Sequence, residues 1–171
     1  YPFSDAPAVR DISFRVRAGE LVLVSGQSGC GKTTLMRLAN GLCPGYFRGK
    51  LKGRVLVDGK DTALMPLRDV SRLVGTLFQD PEQLAFVHEW RGRSAEETRE
   101  RVRRAAESFG LSSVLHNSIH ELSEGQKQKV GLASILSQEP RVLVLDEPTA
   151  NLDPESTADL ACRLRALKES G

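Results

Sequence analysis

Charge of one sign, a repeating cysteine pattern and a long apolar run are all missing from this chain. With 24 Lys and Arg against 22 Asp and Glu over 171 residues, the formal net charge is only +2. That near-balance lacks the strong basic field of a dedicated nucleic-acid binder, so no nucleic acid is expected among its partners. Cys30, Cys43 and Cys162 have neither CxxC spacing nor a neighbouring histidine pair. A disulfide framework and a zinc site are therefore not indicated, and the cytosol is the expected compartment. No apolar run approaches the roughly 20 residues that span a bilayer, and no signal-peptide pattern stands at the start. Any membrane contact is expected to be indirect. Internal repeats and low-complexity stretches are absent as well.

A composition of 40% hydrophobic and 27% charged residues fits one globular domain with its own core. Two β-like runs, around Ile12 to Val16 and Leu21 to Ser25, flank an Ala18-Gly19 turn and predict strands. The second leads into a glycine-rich loop, a helix from Thr33 to Ala39, and a stop near Asn40-Gly41. Arg54 to Val57 followed by Asp58-Gly59 predicts a hairpin, and Leu73 to Phe78 predicts a buried strand. The sheet is expected to be mixed at one edge.

Between Ser94 and Phe109 the period changes, with Ala95, Val102, Ala105, Ala106 and Phe109 on one helical face. Ser94 with Glu97 fits a capping box and Gly110 suits the stop. A further helix is predicted from Ser123 to Leu136, a strand from Val142 to Leu145, and a last helix after Asp153-Pro154, where Asp caps and Pro takes the first helical position. Strands alternating with helices predict an α/β fold.

Gly26-Gln27-Ser28-Gly29-Cys30-Gly31-Lys32-Thr33 matches the G-x-x-x-x-G-K-[ST] phosphate-loop pattern between a predicted strand and a predicted helix. A plain glycine-rich turn is the bland alternative, and the full motif in its setting argues against it. Gly26, Ser28, Gly29, Cys30, Gly31, Lys32, Thr33 and Thr34 are the expected nucleotide-binding residues, with no thiol role for Cys30. Lys32 is expected to reach the β- and γ-phosphates and the Thr33 hydroxyl to ligate Mg2+. Arg141 to Glu147 is an apolar strand ending in two acids, at the sheet edge where open α/β folds bind ligands. Asp146 suits Mg2+, and Glu147 is placed to polarise the water that attacks the γ-phosphate. Phosphate loops also serve GTPases, nucleotide kinases and helicases, so these motifs predict a nucleoside triphosphate and leave the machine open.

Leu122-Ser123-Glu124-Gly125-Gln126 followed by Asp146-Glu147-Pro148-Thr149-Ala150-Asn151-Leu152-Asp153 resembles the signature motif, Walker B strand and D-loop of ABC ATPases. The resemblance covers most of the chain and implies a P-loop NTPase fold of ABC ATPase type, with a mixed sheet core and a helical subdomain. It implies core residues 1–84 and 137–171 and a helical signature region over 85–136. In that family Gln79 would be the glutamine that approaches Mg2+ and the attacking water, and Tyr1 is similar to the aromatic that stacks on adenine. The signature residues Ser123, Gly125 and Gln126, together with Asp153 of the D-loop, would close over ATP bound to a second ABC ATPase subunit. That arrangement is a head-to-tail sandwich with ATP and Mg2+ as cofactors. Lys32, Gln79 and Glu147 would then be the catalytic residues.

Asn40-Gly41-Leu42 with Pro44, the stretch Phe78 to Leu84, and Gln126 to Lys129 are most similar to ATPases of energy-coupling-factor importers. Those carry vitamins, vitamin precursors or transition-metal ions. The implied partners are transmembrane transporter subunits, and the implied place is the cytoplasmic face of the membrane.

Glu124 replaces the first of two signature glycines, and a carboxylate near a γ-phosphate is expected to oppose closure by like charge. The segment from Gln79 to Leu122 is shorter than usual in the family, and residues 85–93 lack the run that contacts the membrane partner in relatives. The chain also begins without the usual opening strand and ends before the strand that carries a switch histidine. None of His88, His116 and His120 follows the D-loop, so none takes that role. A soluble ABC ATPase of DNA repair or translation, or a catalytically impaired regulatory module, are the alternative readings.

Overall fold

The computed structural model describes residues 6–78, 94–150 and 152–170. Tyr1, Gln79 and His88 lie outside them. In chain order the elements are α1 (Lys32–Ala39), a short helical turn α2 (Leu42–Gly45), β1 (Leu56–Val57), β2 (Lys60–Asp61) and α3 (Leu67–Leu73). They continue with β3 (Val74–Leu77), α4 (Ala95–Ser108), α5 (Glu124–Leu136), β4 (Val142–Leu145) and α6 (Pro154–Ser170).

The central unit is the parallel pair β3 and β4, with Val74 opposite Val142 and Leu77 opposite Leu145. Parallel strands need a long crossover, and α4 and α5 lie within it. Both faces of the pair are covered, which is why the strands read as continuous apolar runs. Leu77, Leu143 and Leu145 pack with Ala106, Phe109, Leu132, Ile135 and Leu160, while Val74 and Val144 pack with Val57 and Val70. Leu77 is fully buried, a contribution of about 1.5–3 kcal/mol.

Local signals act as their residue types dictate. Ser94 caps α4 by accepting from the Glu97 N–H at 3.1 Å, and Gly110 takes φ +67° just beyond its end. The Asp58-Gly59 turn joins β1 and β2 in antiparallel register. Antiparallel and parallel pairings thus both occur, in two separate two-stranded ladders. Ser123 and Gln126 form the reciprocal box that opens α5.

Three of the four arginines of α4 are engaged with acids. Arg103 and Arg104 pair with Glu100 at 2.9 and 2.8 Å, and Arg101 pairs with Glu139 at 3.1 Å. The two guanidiniums, Arg104 first, hold the Glu100 carboxyl below its ordinary range. Arg101 also donates to the Ser137 carbonyl at 3.2 Å, which ties α4 to the end of α5.

The runs from Ile12 to Val16 and Leu21 to Ser25 do not form the predicted strands. The turn between them is present, with the Glu20 N–H donating to the Arg17 carbonyl at 3.1 Å and Gly19 at φ +71°. The flanking segments enter no ladder, and Ile12, Phe14, Val16, Leu21, Val22 and Leu23 are exposed. Apolar alternation shows which side chains favour burial, but a strand also needs a partner for its N–H and C=O groups. Among the described residues these runs have no such partner.

Gly75 sits where β3 meets the end of α5. A Cβ there would lie 2.8 Å from Pro140 Cγ and closer still to Ile135 Cγ2. Gly75→Ala is therefore expected to lower the free energy of unfolding by about 1–3 kcal/mol through overpacking. Urea denaturation would show this as a lower midpoint with an unchanged slope.

Candidate nucleotide site

The glycine loop is shaped by backbone geometry that side chains resist. Gly29 and Gly31 have φ of +78° and +99°, the left-handed region that glycine enters without penalty. Gly31 is also a spatial requirement, because a Cβ there would overlap the Ala8 carbonyl and stand 3.0 Å from Val9 Cγ1. The Cys30 N–H donates to the Gln27 carbonyl at 3.3 Å, closing the turn. The Cys30 thiol is free and exposed.

Lys32 opens α1 and folds back on the loop, its ammonium donating to the carbonyls of Gly26 at 2.9 Å and Gln27 at 3.0 Å. Among the described residues no carboxylate pairs with it. The first turn of α1 contains no acid, and its N-cap Gly31 supplies no side-chain acceptor. The helix dipole and the backbone N–H groups of Lys32 and Thr33 at its start therefore favour an anion. Thr33 and Thr34 stand in that first turn, half-buried, while Ser28 is exposed. These groups fit a polyphosphate.

At the other end of α1, the Asn40 side-chain amide donates to Thr76 Oγ1 at 3.2 Å. This bond attaches the loop's helix to β3, the neighbour of the strand that bears the acids. Beyond β4 the ladder runs one step further, with the Asp146 N–H donating to the Leu77 carbonyl at 2.9 Å. Asp146 is 6% exposed. Glu147 is exposed and adopts φ +50°, an uncommon state for a residue with a side chain. Strain of this kind is held by its surroundings and concentrates at functional sites. Among the described residues no group of three or more His, Cys, Asp or Glu is placed to hold a metal.

The signature segment opens α5. Ser123 Oγ accepts from the Gln126 N–H at 3.2 Å, and Gln126 Oε1 accepts from the Ser123 N–H at 2.9 Å. Between them, the N–H groups of Glu124 and Gly125 are free among the described residues. Glu124 is directed sideways to the Lys127 ammonium at 2.9 Å. Gly125 faces Ser156 and Leu152 of the same chain at ordinary contact distance.

Asp153 is already engaged. Oδ1 accepts from the Ser156 N–H and Oδ2 from the Ser156 hydroxyl, both at 2.8 Å. The backbone bond first and the hydroxyl second hold its carboxyl below the usual range. Sequence reasoning missed Gln128, which is 5% exposed on the same side of α5 as Leu132 and Ile135. Its Nε2 donates to the Pro148 carbonyl at 2.8 Å. The available signal was a polar residue at i relative to apolar i+4 and i+7 positions.

The structure thus sets the signature segment at the start of α5 beside Leu152 and Ser156, next to Asp153, and ties α5 through Gln128 to Pro148, directly after Asp146 and Glu147. The phosphate loop is linked to this arrangement through Asn40 and β3. Tyr1 and Gln79 lie outside the described residues.

Residues 9–150 match the family model described as ABC transporter. The chain is 39% identical over 183 residues to a putative ABC transporter ATP-binding protein of Treponema denticola, covering 100% of this chain and 37% of that protein. It is 40% identical over 177 residues to one of Methanosarcina acetivorans, covering 98% and 29%. The chain therefore spans about a third of the length of these curated relatives. A solved structure described as cbiO1 from Clostridium perfringens, part of the ABC transporter complex cbiONQ, aligns with TM-score 0.80 at 30% identity. That alignment covers 99% of this chain and 71% of the other. The ATP-binding cassette MJ0796, described as a dimeric post-hydrolysis state with ADP and Pi, aligns with TM-score 0.78 at 24% identity, covering 95% and 75%.

The lowered Asp153 carboxyl carries a consequence for stability. A depressed folded-state value means stabilisation that is present above the unfolded value and lost as pH falls through the folded one. Asp153→Asn keeps a capping side chain and removes the titration. Its melting temperature is expected to be below that of the parent at pH 6, with the gap closing as the pH is lowered through the acid range. Melting curves across that range would check this.

Proposed function

Because this chain belongs to the ABC transporter family of ATP-binding proteins, we propose that it binds and hydrolyses ATP to power a membrane transporter. The observation that carries this reading is the phosphate loop. Its left-handed glycines, its acid-free helix start and a lysine with no carboxylate partner among the described residues form an anion socket in the same chain as a buried strand-end aspartate.

In this reading Lys32 turns from the Gly26 and Gln27 carbonyls to the phosphates, a stronger acceptor for an ammonium. Thr33 and Asp146, with Gln79, would hold Mg2+, which would supply charge neutralisation at the phosphates when bound. Glu147 orients and polarises the attacking water. Catalysis here is chiefly positioning and electrostatics.

The free Glu124 and Gly125 amides at the start of α5 can donate to an anion, which supports a composite site. Ser123, Gly125 and Gln126 would close over ATP held by a second ABC ATPase subunit, in a sandwich with two shared sites. Glu124 does not argue for an inert module, because its carboxylate is paired with Lys127. The resemblance to energy-coupling-factor importers and the likeness to cbiO1 support a cargo of vitamins or transition-metal ions. They also support peripheral attachment to transmembrane subunits at the cytoplasmic face, with residues 85–136 as the helical subdomain.

Two variants test the reading. Lys32→Ala is expected to weaken ATP binding by about 10- to 100-fold, the loss of a charge-assisted contact, as read by titration with a fluorescent nucleotide. Glu147→Gln is expected to retain binding while turnover falls on the order of 10²- to 10⁴-fold. Light scattering after size exclusion should show its mass doubling with Mg-ATP. An unchanged mass would overturn the sandwich.

A further inference from the structure

Gln128 is a buried polar side chain that the chemistry above leaves unused. It is nearly fully buried, on a helix side where Leu132 and Ile135 are each 2% exposed. An apolar residue of the same size would satisfy the packing, whereas a buried amide is costly unless its donors find acceptors. Its Nε2 is directed at one atom, the Pro148 carbonyl oxygen, at 2.8 Å.

That oxygen belongs to the residue directly after Glu147. The proline ring fixes φ at position 148 near −65°, and a residue preceding proline is held out of the right-handed helical region. With the Pro148 carbonyl also held, few backbone states remain for Glu147, which rests at φ +50°. The turn beyond is closed by the Ala150 N–H on the Glu147 carbonyl at 3.1 Å and the Leu152 N–H on the Thr149 carbonyl at 3.2 Å.

Gln128 also lies three and four residues after Gly125 and Glu124, one helical turn from the free amides that open α5. Further along, Lys129 pairs with Asp159 of α6 at 3.6 Å. The start of α5 is thus joined to the Pro148 carbonyl through less than two turns of helix.

We infer that Gln128 is a positioning residue: its amide holds the Glu147–Pro148 backbone and thereby couples closure of α5 over the second subunit's nucleotide to hydrolysis at this chain's own site. This inference rests on the composite-site reading proposed above. The coupling is reciprocal in the paired arrangement, since each subunit contributes one α5 and one Glu147.

The test compares the full-length protein with its Gln128→Met variant, which keeps length and volume and removes the donor. The expected result is ATP affinity within about 2-fold of the parent and kcat reduced on the order of 10²-fold, the scale of a catalytic group misplaced by about 1 Å. In the Glu147→Gln background, adding Gln128→Met should leave the ATP-dependent mass doubling intact, because the amide acts on the placement of Glu147 and not on closure. Gln128→Glu provides a second, more polar variant, whose buried acid donates to the Pro148 carbonyl while protonated and cannot once ionised. Its kcat should be near parental where the acid form donates and fall as the pH is raised. A parental kcat in folded Gln128→Met overturns the inference alone, as does a Gln128→Glu kcat that follows the parental pH profile throughout, or loss of the mass doubling with Gln128→Met. Failure of Glu147→Gln itself to double overturns the sandwich, and the inference with it.

Discussion

The parallel register of β3 and β4 is the constraint on which the site depends. It places Leu77 beside Leu145 and carries the ladder on to the Asp146 N–H, so the first acid is anchored by a backbone bond before any ligand arrives. Because β3 has packed side chains on both faces, a shift by one residue would exchange the sides occupied by Leu77 and Thr76. Thr76 accepts the Asn40 bond that attaches the phosphate-loop helix, while Leu77 belongs to the helix-covered core. Loop, acids and core are therefore set by one pairing.

A second block builds outward from that pairing. α5 crosses from the signature segment to the strand, capped by the Ser123–Gln126 box at one end and packed through Ile135 against Gly75 at the other. α6 follows Asp153 and meets α5 through Leu160, which shares the core with Leu132, and through the Lys129–Asp159 pair. Arg163 lies 4.6 Å over the Phe109 ring and bonds to Asp159 at 3.0 Å, which joins α6 to the end of α4. The groups proposed to act on nucleotide thus sit at the ends of regular elements and not on long excursions.

What could be read from the sequence was what depends on local chemistry. The glycines and lysine of the loop, the serine caps of α4 and α5, the Asp-Pro start of α6 and the apolar β3 and β4 all declare themselves through residue type and spacing. Two kinds of feature did not. The segments around Phe14 and Val22 carry a strand pattern that yields no ladder among the described residues, because pairing is a property of two segments and periodicity reports only one. Gln128 and Asp153 were obscured for a different reason. The first looks like one polar residue among several on a helix, and the second like a D-loop acid, until the fold gives one a carbonyl and the other a serine.

The pairing of Glu124 with Lys127 changes what the unusual signature spelling means. Considered as a residue, an acid in place of glycine places a negative charge where an anion must approach. Considered as an ion pair one helical turn long, it contributes a small lateral dipole and no net charge. An approaching phosphate would then encounter the amides and the helix end first, and the side chains only as a screened perturbation that weakens further as ionic strength rises.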